Sequence, residues 1–143
     1  MIFPGQAYVP PGLLGRLSGM RLFSVQFVLD YVQFRFGGRT PDMPVLSCNV
    51  MPAVTAQAGH FADGQPGYAD ALRSLIPGVV ARTQEATGLG LRIELDNGPV
   101  VLHPPAGDLA GPEIALLPGF EDRQWMCWRP GGILRRPRLN QDL

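Results

Sequence analysis

Lysine is absent from this chain. All twelve basic residues are arginine, and they balance twelve acidic residues to a formal net charge of zero. A neutral chain has no overall field to draw it toward nucleic acid or an anionic membrane. Cysteine and histidine are scarce, with only Cys48, Cys127, His60 and His103. The close ligand spacings of zinc modules (CxxC, HxxxH, HExxH) are missing, which argues against a metal centre. Phosphate cradles are missing too: there is no GxxxxGKS/T, and no GxGxxG between a strand and a helix. No window approaches eighteen apolar residues, so no transmembrane helix is expected. The opening MIFPGQAYVPPG lacks the basic and apolar regions of a signal peptide. These absences together lead to the expectation of a cytoplasmic protein with no cofactor and no membrane partner.

Glycine and proline are abundant, at 18 and 15 residues. With arginine as the sole strong base, this composition points to a GC-rich genome, such as an actinobacterial one or a phage of such a host. The 143 residues fit one domain, and a domain of that size buries roughly 70% of its extended-chain surface, enough to fold without staples. The two cysteines stand in apolar runs, VLSCNV and WMCW, where a thiol behaves as a small buried hydrophobe. One disulfide between them stays open as an alternative.

The hydrophobic pattern divides the chain into an apolar Gly/Pro-rich arm at 1–18, a β-rich domain at 19–132 and an Arg-rich tail at 133–143. The arm is expected to be extended, because proline restricts both itself and its neighbour. RLFSVQFVLDYVQFRFGG carries the strongest strand signal: Phe23, Val25, Phe27 and Leu29 alternate on one face, then Val32, Phe34 and Phe36 after a turn near Asp30. PVLSCNVM continues as a third strand. AVTAQAGHFADGQPG is expected to be irregular, and YADALRSLIPG a short helix with Leu72, Leu75 and Ile76 on one side. VVARTQEA, LRIELDNG and PVVLHPP then repeat the plan, with Leu91, Ile93 and Leu95 inward. Asn97-Gly98 is expected to form a type I′ turn. EIALL and RQWMCWR give a further pair of strands around PGFED. The reading is therefore mainly β, with α+β as the alternative. It is an antiparallel sandwich or half-open barrel of two β-meander units, about 19–52 and 78–132, with one short helix and a possible internal repeat.

Catalytic chemistry finds little support. Nucleophilic catalysis needs an activated Cys or Ser with a base in reach. Cys48 with His60 or His103, oriented by Asp63 or Asp108, would be the set, yet no local signature joins them. A carboxylate pair would draw on Glu85, Glu94, Asp96, Glu113, Glu121 and Asp122, most of them on outward strand positions or in turns. Glu113 opens an apolar strand and is expected to pair with Arg129. Nucleic-acid binding would rest on Arg129, Arg135, Arg136 and Arg138 with the tryptophans, and four arginines on a neutral domain read better as a solubilising end. In WMCW, Trp125 and Cys127 face one way, Met126 and Trp128 the other, so one tryptophan is expected in the core and one at the surface.

The LDNG turn, then PEIALL, then the closing WRPG resemble small actinobacterial β-rich domains, some of which accompany secreted-toxin and immunity systems. The resemblance covers about 89–132 and implies a non-enzymatic protein that recognises another protein. The leading expectation is therefore a protein-binding module, immunity-like or accessory, that meets a protein partner or forms a homodimer. Phe3, Tyr8, Trp125, Trp128 and Arg129 are the candidate contacts. The alternative is a small-molecule binder or enzyme with a pocket between the two β units, lined by Cys48, His60, His103 and Glu113. A structural subunit of a larger assembly is the lesser alternative.

Overall fold

The computed structural model describes residues 12–86, 90–103, 114–129 and 132–136. A 3-10 turn, Leu13–Leu17, precedes β1 (Arg21–Val28), β2 (Tyr31–Gly37), β3 (Val45–Cys48), β4 (Ala53–Ala56) and β5 (Gly59–Phe61). Helix α1 (Tyr68–Arg73) leads into β6 (Val80–Ala86), β7 (Gly90–Leu95), β8 (Gly98–Leu102), β9 (Ala115–Leu117), β10 (Trp125–Arg129) and β11 (Gly132–Arg136). The strands form a six-stranded sheet in the order β1-β2-β3-β9-β10-β11 and a five-stranded sheet in the order β5-β4-β8-β7-β6. All pairings are antiparallel. The mainly β, antiparallel architecture with one short helix stands as the sequence implied, in the form of a sandwich.

Alternation explains the sandwich. Val32, Phe34 and Phe36 on β2, Leu46 and Cys48 on β3, Leu91, Ile93 and Leu95 on β7, and Val100 and Leu102 on β8 are all buried. They join one core cluster with Leu13, Leu14 and Leu17 from the 3-10 turn and Leu72 and Leu75 from the α1 segment. Each such side chain contributes about 1.5–3 kcal/mol on leaving water, which makes this inward row the main driving force.

The strand order has a regular internal pattern. β1-β2-β3 and β6-β7-β8 are both meanders, and each opens with an irregular pairing, at Leu22/Ser24 and at Val80/Arg82. Each meander then sends its chain to the opposite sheet: β4 pairs with β8, and β9 pairs with β3. β5 folds back on β4 as β10 folds back on β9. The two leading strands meet at their starts. Leu22 N–H donates to Gly78 O and Val80 N–H to Met20 O, both at 2.8 Å, and Gly19 N–H donates to Val80 O.

Several sequence expectations need correction. AVTAQAGHF is a strand pair, β4 and β5, because Val54 and Phe61 pair and pack on the core. Leu13–Leu17 is a helical turn with three buried leucines, so this part of the arm belongs to the core. Residues 1–11, with Phe3 and Tyr8, lie outside the described residues. Ile133 to Arg136 of the supposed tail form β11 on β10. Phe23, Val25, Phe27 and Leu29 do not make one buried face. The irregularity after Leu22 shifts the phase, and Leu29 sits in the turn at φ 47°. Asn97-Gly98 is not the centre of its turn either. Leu95 pairs with Gly98, which leaves Asp96 and Asn97 as the turn residues, and neither has a positive φ. Gly98 starts β8 at φ 147°, where an added Cβ would overlap the Thr55 carbonyl.

Two outcomes follow. Gly98→Ala meets both the backbone strain and the Thr55 carbonyl, so it should lower stability by about 2–4 kcal/mol in urea melts. Leu14→Ala and Leu72→Ala, both at fully buried sites, should each cost about 2–5 kcal/mol by the same measurement.

Candidate functional site

The described surface offers one long, uncharged strand edge. β1 is the terminal strand of the six-stranded sheet, and its sequence RLFSVQFV carries a single charge, at Arg21. Among the described residues its outer side is engaged at the start, by the Arg21–Val79 bridge and the Leu22 N–H to Gly78 O hydrogen bond. Beyond Leu22 no described strand lies beside it. Folded proteins usually blunt such edges with charge, proline, short length or a cover, because unpaired N–H and C=O groups template another strand. The other edges follow that rule. β5 has three residues and β11 carries two arginines, while β6 has the Leu13–Leu17 turn packed against it.

Four of the five large exposed apolar residues among those described gather at the same place, the fifth being Leu116 on β9. Phe23 is 50% exposed, Phe27 46%, Met43 57%, and Leu29 fully. Register explains the phenylalanines. Phe27 pairs with the buried Val32, so it points to the core side, where its ring meets the Tyr68 ring edge-on at 6.5 Å, yet it stays half-exposed. Phe23 occupies the irregular position and lies over Gly37, where an added Cβ would meet its ring. The Met43 sulfur lies beside the same glycine.

At the start of β1 the surface opens into a groove of about 740 Å³. It is lined by Met20, Phe23 and Val79, and by three arginines, Arg16, Arg21 and Arg39, beside Gly37 and Gly38. Arg16 is engaged with the Asp122 carboxylate at 3.0 Å and stacked over the Phe120 ring. Burial works to raise the Asp122 carboxyl, but the Gln124 N–H and the Arg16 guanidinium together hold it below the ordinary carboxylate range. Arg21 donates to Pro77 O at 2.8 Å. Arg21 and Arg39 form no ion pair among the described residues.

The corresponding spot beside β6 is filled. Asp96 stands where Gly37 stands, next to the residue that pairs with the irregular strand start. Its carboxylate accepts from Val79 N–H at 3.1 Å. Asn97, in the place of Gly38, donates to Ser74 O and Leu75 O at the end of the helical segment. Two glycines on one side and Asp-Asn on the other make one notch open and the other closed.

The residues singled out from sequence fall elsewhere. Trp128 is buried at 3% exposure, and its Nε1–H donates to Glu85 Oε1 at 2.8 Å, so it is a core residue rather than a contact surface. Glu85 was expected to point outward. It lies opposite the buried Leu91 because the irregular start of β6 shifts the strand's phase. Trp125 is half-buried on β10. Arg129 closes β10, with its side chain outside the described set, and Glu113 lies outside the described residues altogether. The proposed pocket residues are not brought together. Cys48 is fully buried on β3, whereas His60 is exposed on β5, hydrogen-bonded to Thr55 Oγ1 at 2.7 Å. His103 follows the far end of β8, about 13 Å along the strand direction from the His60 level, given four residues at ~3.3 Å each. His103 lines a shallow groove of about 500 Å³ with Gln84, Arg92 and Val101. No group of three or more metal-type ligands occurs among the described residues, and no described helix is long and apolar enough to cross a membrane.

Cys48 and Cys127 are thiols, not a disulfide. Their pairing partners, Ala115 and Leu116, are adjacent on β9, so the two sulfurs point to opposite faces of the sheet. Burial pushes the Cys48 thiol strongly up, and an Ellman titration should find it unreactive until denaturant is added. On the outer face of the five-stranded sheet, Glu94 accepts from Arg92 at 2.7 Å and Arg82 at 2.9 Å. These bonds hold its carboxyl below its ordinary value. The folded carboxyl is therefore depressed, and its stabilisation is present above the ordinary glutamate range and lost as pH falls through the folded value. Thermal melts of Glu94→Gln and the parent chain should differ near neutrality and converge in acid.

Compared with family models, curated proteins and solved structures, the chain matches none.

Proposed function

We propose that the protein is a non-enzymatic binding module that recognises other protein by adding a strand to the edge of β1. The observation that carries this reading is the edge itself: Ser24 to Val28 is uncharged, free of proline, contains the half-exposed Phe27 and is flanked by exposed Phe23 and Leu29. In strand addition, main-chain hydrogen bonds supply affinity and alternate side chains supply specificity. Phe23 and Met43 offer the apolar area that such a contact would cover, and aromatic residues are enriched at energetically dominant interface positions. An immunity-like or accessory role, in a reducing compartment that keeps Cys48 and Cys127 unlinked, is the setting we infer.

We infer also that the two halves are copies of one unit. The supporting observations are positional. Leu13, Leu14 and Leu17 stand as far before Leu22 as Ala71, Leu72 and Leu75 stand before Val80, and all are buried. On this reading the copy led by β6 has its edge covered, and the copy led by β1 has kept its edge for a partner. A pocket-based activity has less support, since Cys48, His60 and His103 stand apart.

The test is a peptide of alternating valine and threonine, titrated while amide exchange is followed by mass spectrometry. Protection should appear at Ser24–Val28. Phe27→Lys places a charge on the core side of the edge, a device natural edges use against pairing, and should weaken binding by about tenfold or more. Peptide binding that leaves β1 unprotected, or that Phe27→Lys does not touch, would refute strand addition here.

A further inference from the structure

The inference rests on the strand-addition reading and names the partner. We propose that β1 pairs with β1 of a second copy of this chain, antiparallel about a two-fold axis, and that Asp30 of each copy enters the arginine-lined notch of the other.

Three observations on the edge support this. The first is its charge order. The edge begins at a notch holding Arg21 and Arg39 without ion-pair partners among the described residues, and it ends at the exposed Asp30 in the β1–β2 turn. A strand with positive charge at its start and negative charge at its end is complementary to itself when reversed. A closed two-fold contact requires that self-complementarity. A pairing centred on Gln26 sets Ser24 to Val28 of each copy side by side and brings Asp30 of the second copy, in its turn, up to Gly78 and Val79, which already lie beside Leu22 and Arg21 at the notch.

The second observation is the filled twin. Beside β6, the carboxylate of Asp96 occupies the matching position and accepts from the main chain at Val79. Beside β1 that position is Gly37, over which the Phe23 ring lies, and the notch opens beside Gly38 and Arg39. The fold therefore already places an aspartate in this kind of notch once. At the second notch two arginines replace the single backbone donor, so an incoming carboxylate gains charge-assisted hydrogen bonds.

The third observation is Leu29. It is fully exposed and sits at φ 47°, a region costly for a side chain without a special role. In the pairing centred on Gln26, Leu29 of the second copy lies opposite Phe23, beside Met43. The most exposed apolar side chain of one copy would then cover the half-exposed aromatic ring of the other, twice over. The result is one continuous sheet through both copies, with neither β1 edge left unpaired.

Sedimentation-velocity runs across a concentration series of the full chain test this directly. The parent chain should show a dimer that weakens as salt is raised, since its rim pairs are solvent-screened. Asp30→Arg alone and Arg39→Asp alone should each weaken the dimer by about tenfold or more, because like charges then face each other. The double variant Asp30→Arg/Arg39→Asp should regain most of the loss, which a purely structural role for either residue would not produce. Gly38→Asp gives an independent check. An added Cβ there meets only ordinary contacts with Met20, so the variant should melt like the parent while its own carboxylate fills the notch and weakens the dimer. A parent chain that stays monomeric throughout overturns the inference, and strand addition survives if the peptide still protects β1. A dimer split by Phe27→Lys but indifferent to the charge exchange overturns the Asp30 contact. A dimer indifferent to both overturns the proposal together with the edge.

Discussion

The fold depends on a short crossing of main chains. Gly19 to Leu22 and Gly78 to Val80 exchange hydrogen bonds at the starts of the two leading strands. Each strand then diverges into its own sheet, so this crossing is where the two layers are joined edge to edge rather than only packed face to face. Its bonds are short and mutual, and they require small residues nearby: Gly78 is buried, with Asn97 and the Leu75 carbonyl where a Cβ would go. Buried main-chain groups must find partners, and here each layer satisfies the other's. The leucines of the 3-10 turn and of the helical segment arrive immediately before the crossing and fill the space between the layers.

From that crossing the rest of the surface follows. The two meanders run away from it in similar ways, and the chain changes sheets after each, so neither half can complete its layer alone. β4 needs β8 and β9 needs β3. This exchange ties distant segments into one cooperative unit. It also determines which edges remain. β6 is covered by the turn that precedes β1, whereas the edge of β1 is covered by no described strand beyond Leu22. The uncharged edge from Leu22 onward is thus a consequence of topology, and Phe23, Phe27 and Leu29 are left exposed along it.

Electrostatics follow the same division. The Arg82–Glu94–Arg92 cluster and the Arg16–Asp122 pair are surface arrangements, and exposed pairs of this sort stabilise modestly. The arginines of the open notch differ because two of them lack an ion-pair partner among the described residues. On a chain whose formal charge is zero, they leave a local excess of positive charge at the start of β1.

Much of this was legible in the amino-acid sequence. Alternation at Val32–Phe36 and Leu91–Leu95 marked the core strands, Pro77-Gly78 marked the end of the helical segment, and the missing ligand spacings argued against a metal site. Period-two patterns report which residues share a face, because successive side chains must point oppositely. They report nothing about which strands become neighbours, and a single irregular position resets their phase. That is why Phe23 and Phe27 read as sharing one regular face with Leu29, and why Glu85 read as solvent-facing. Short β4 and β5, too brief for a clear period, read as irregular. The tertiary structure decided the exchange of strands between sheets, and with it the exposure of β1 and the groove at its start. The physical reason is that strand pairing across long sequence separations is set by how whole layers satisfy their hydrogen bonds and bury their faces together, and no local stretch of sequence carries that sum.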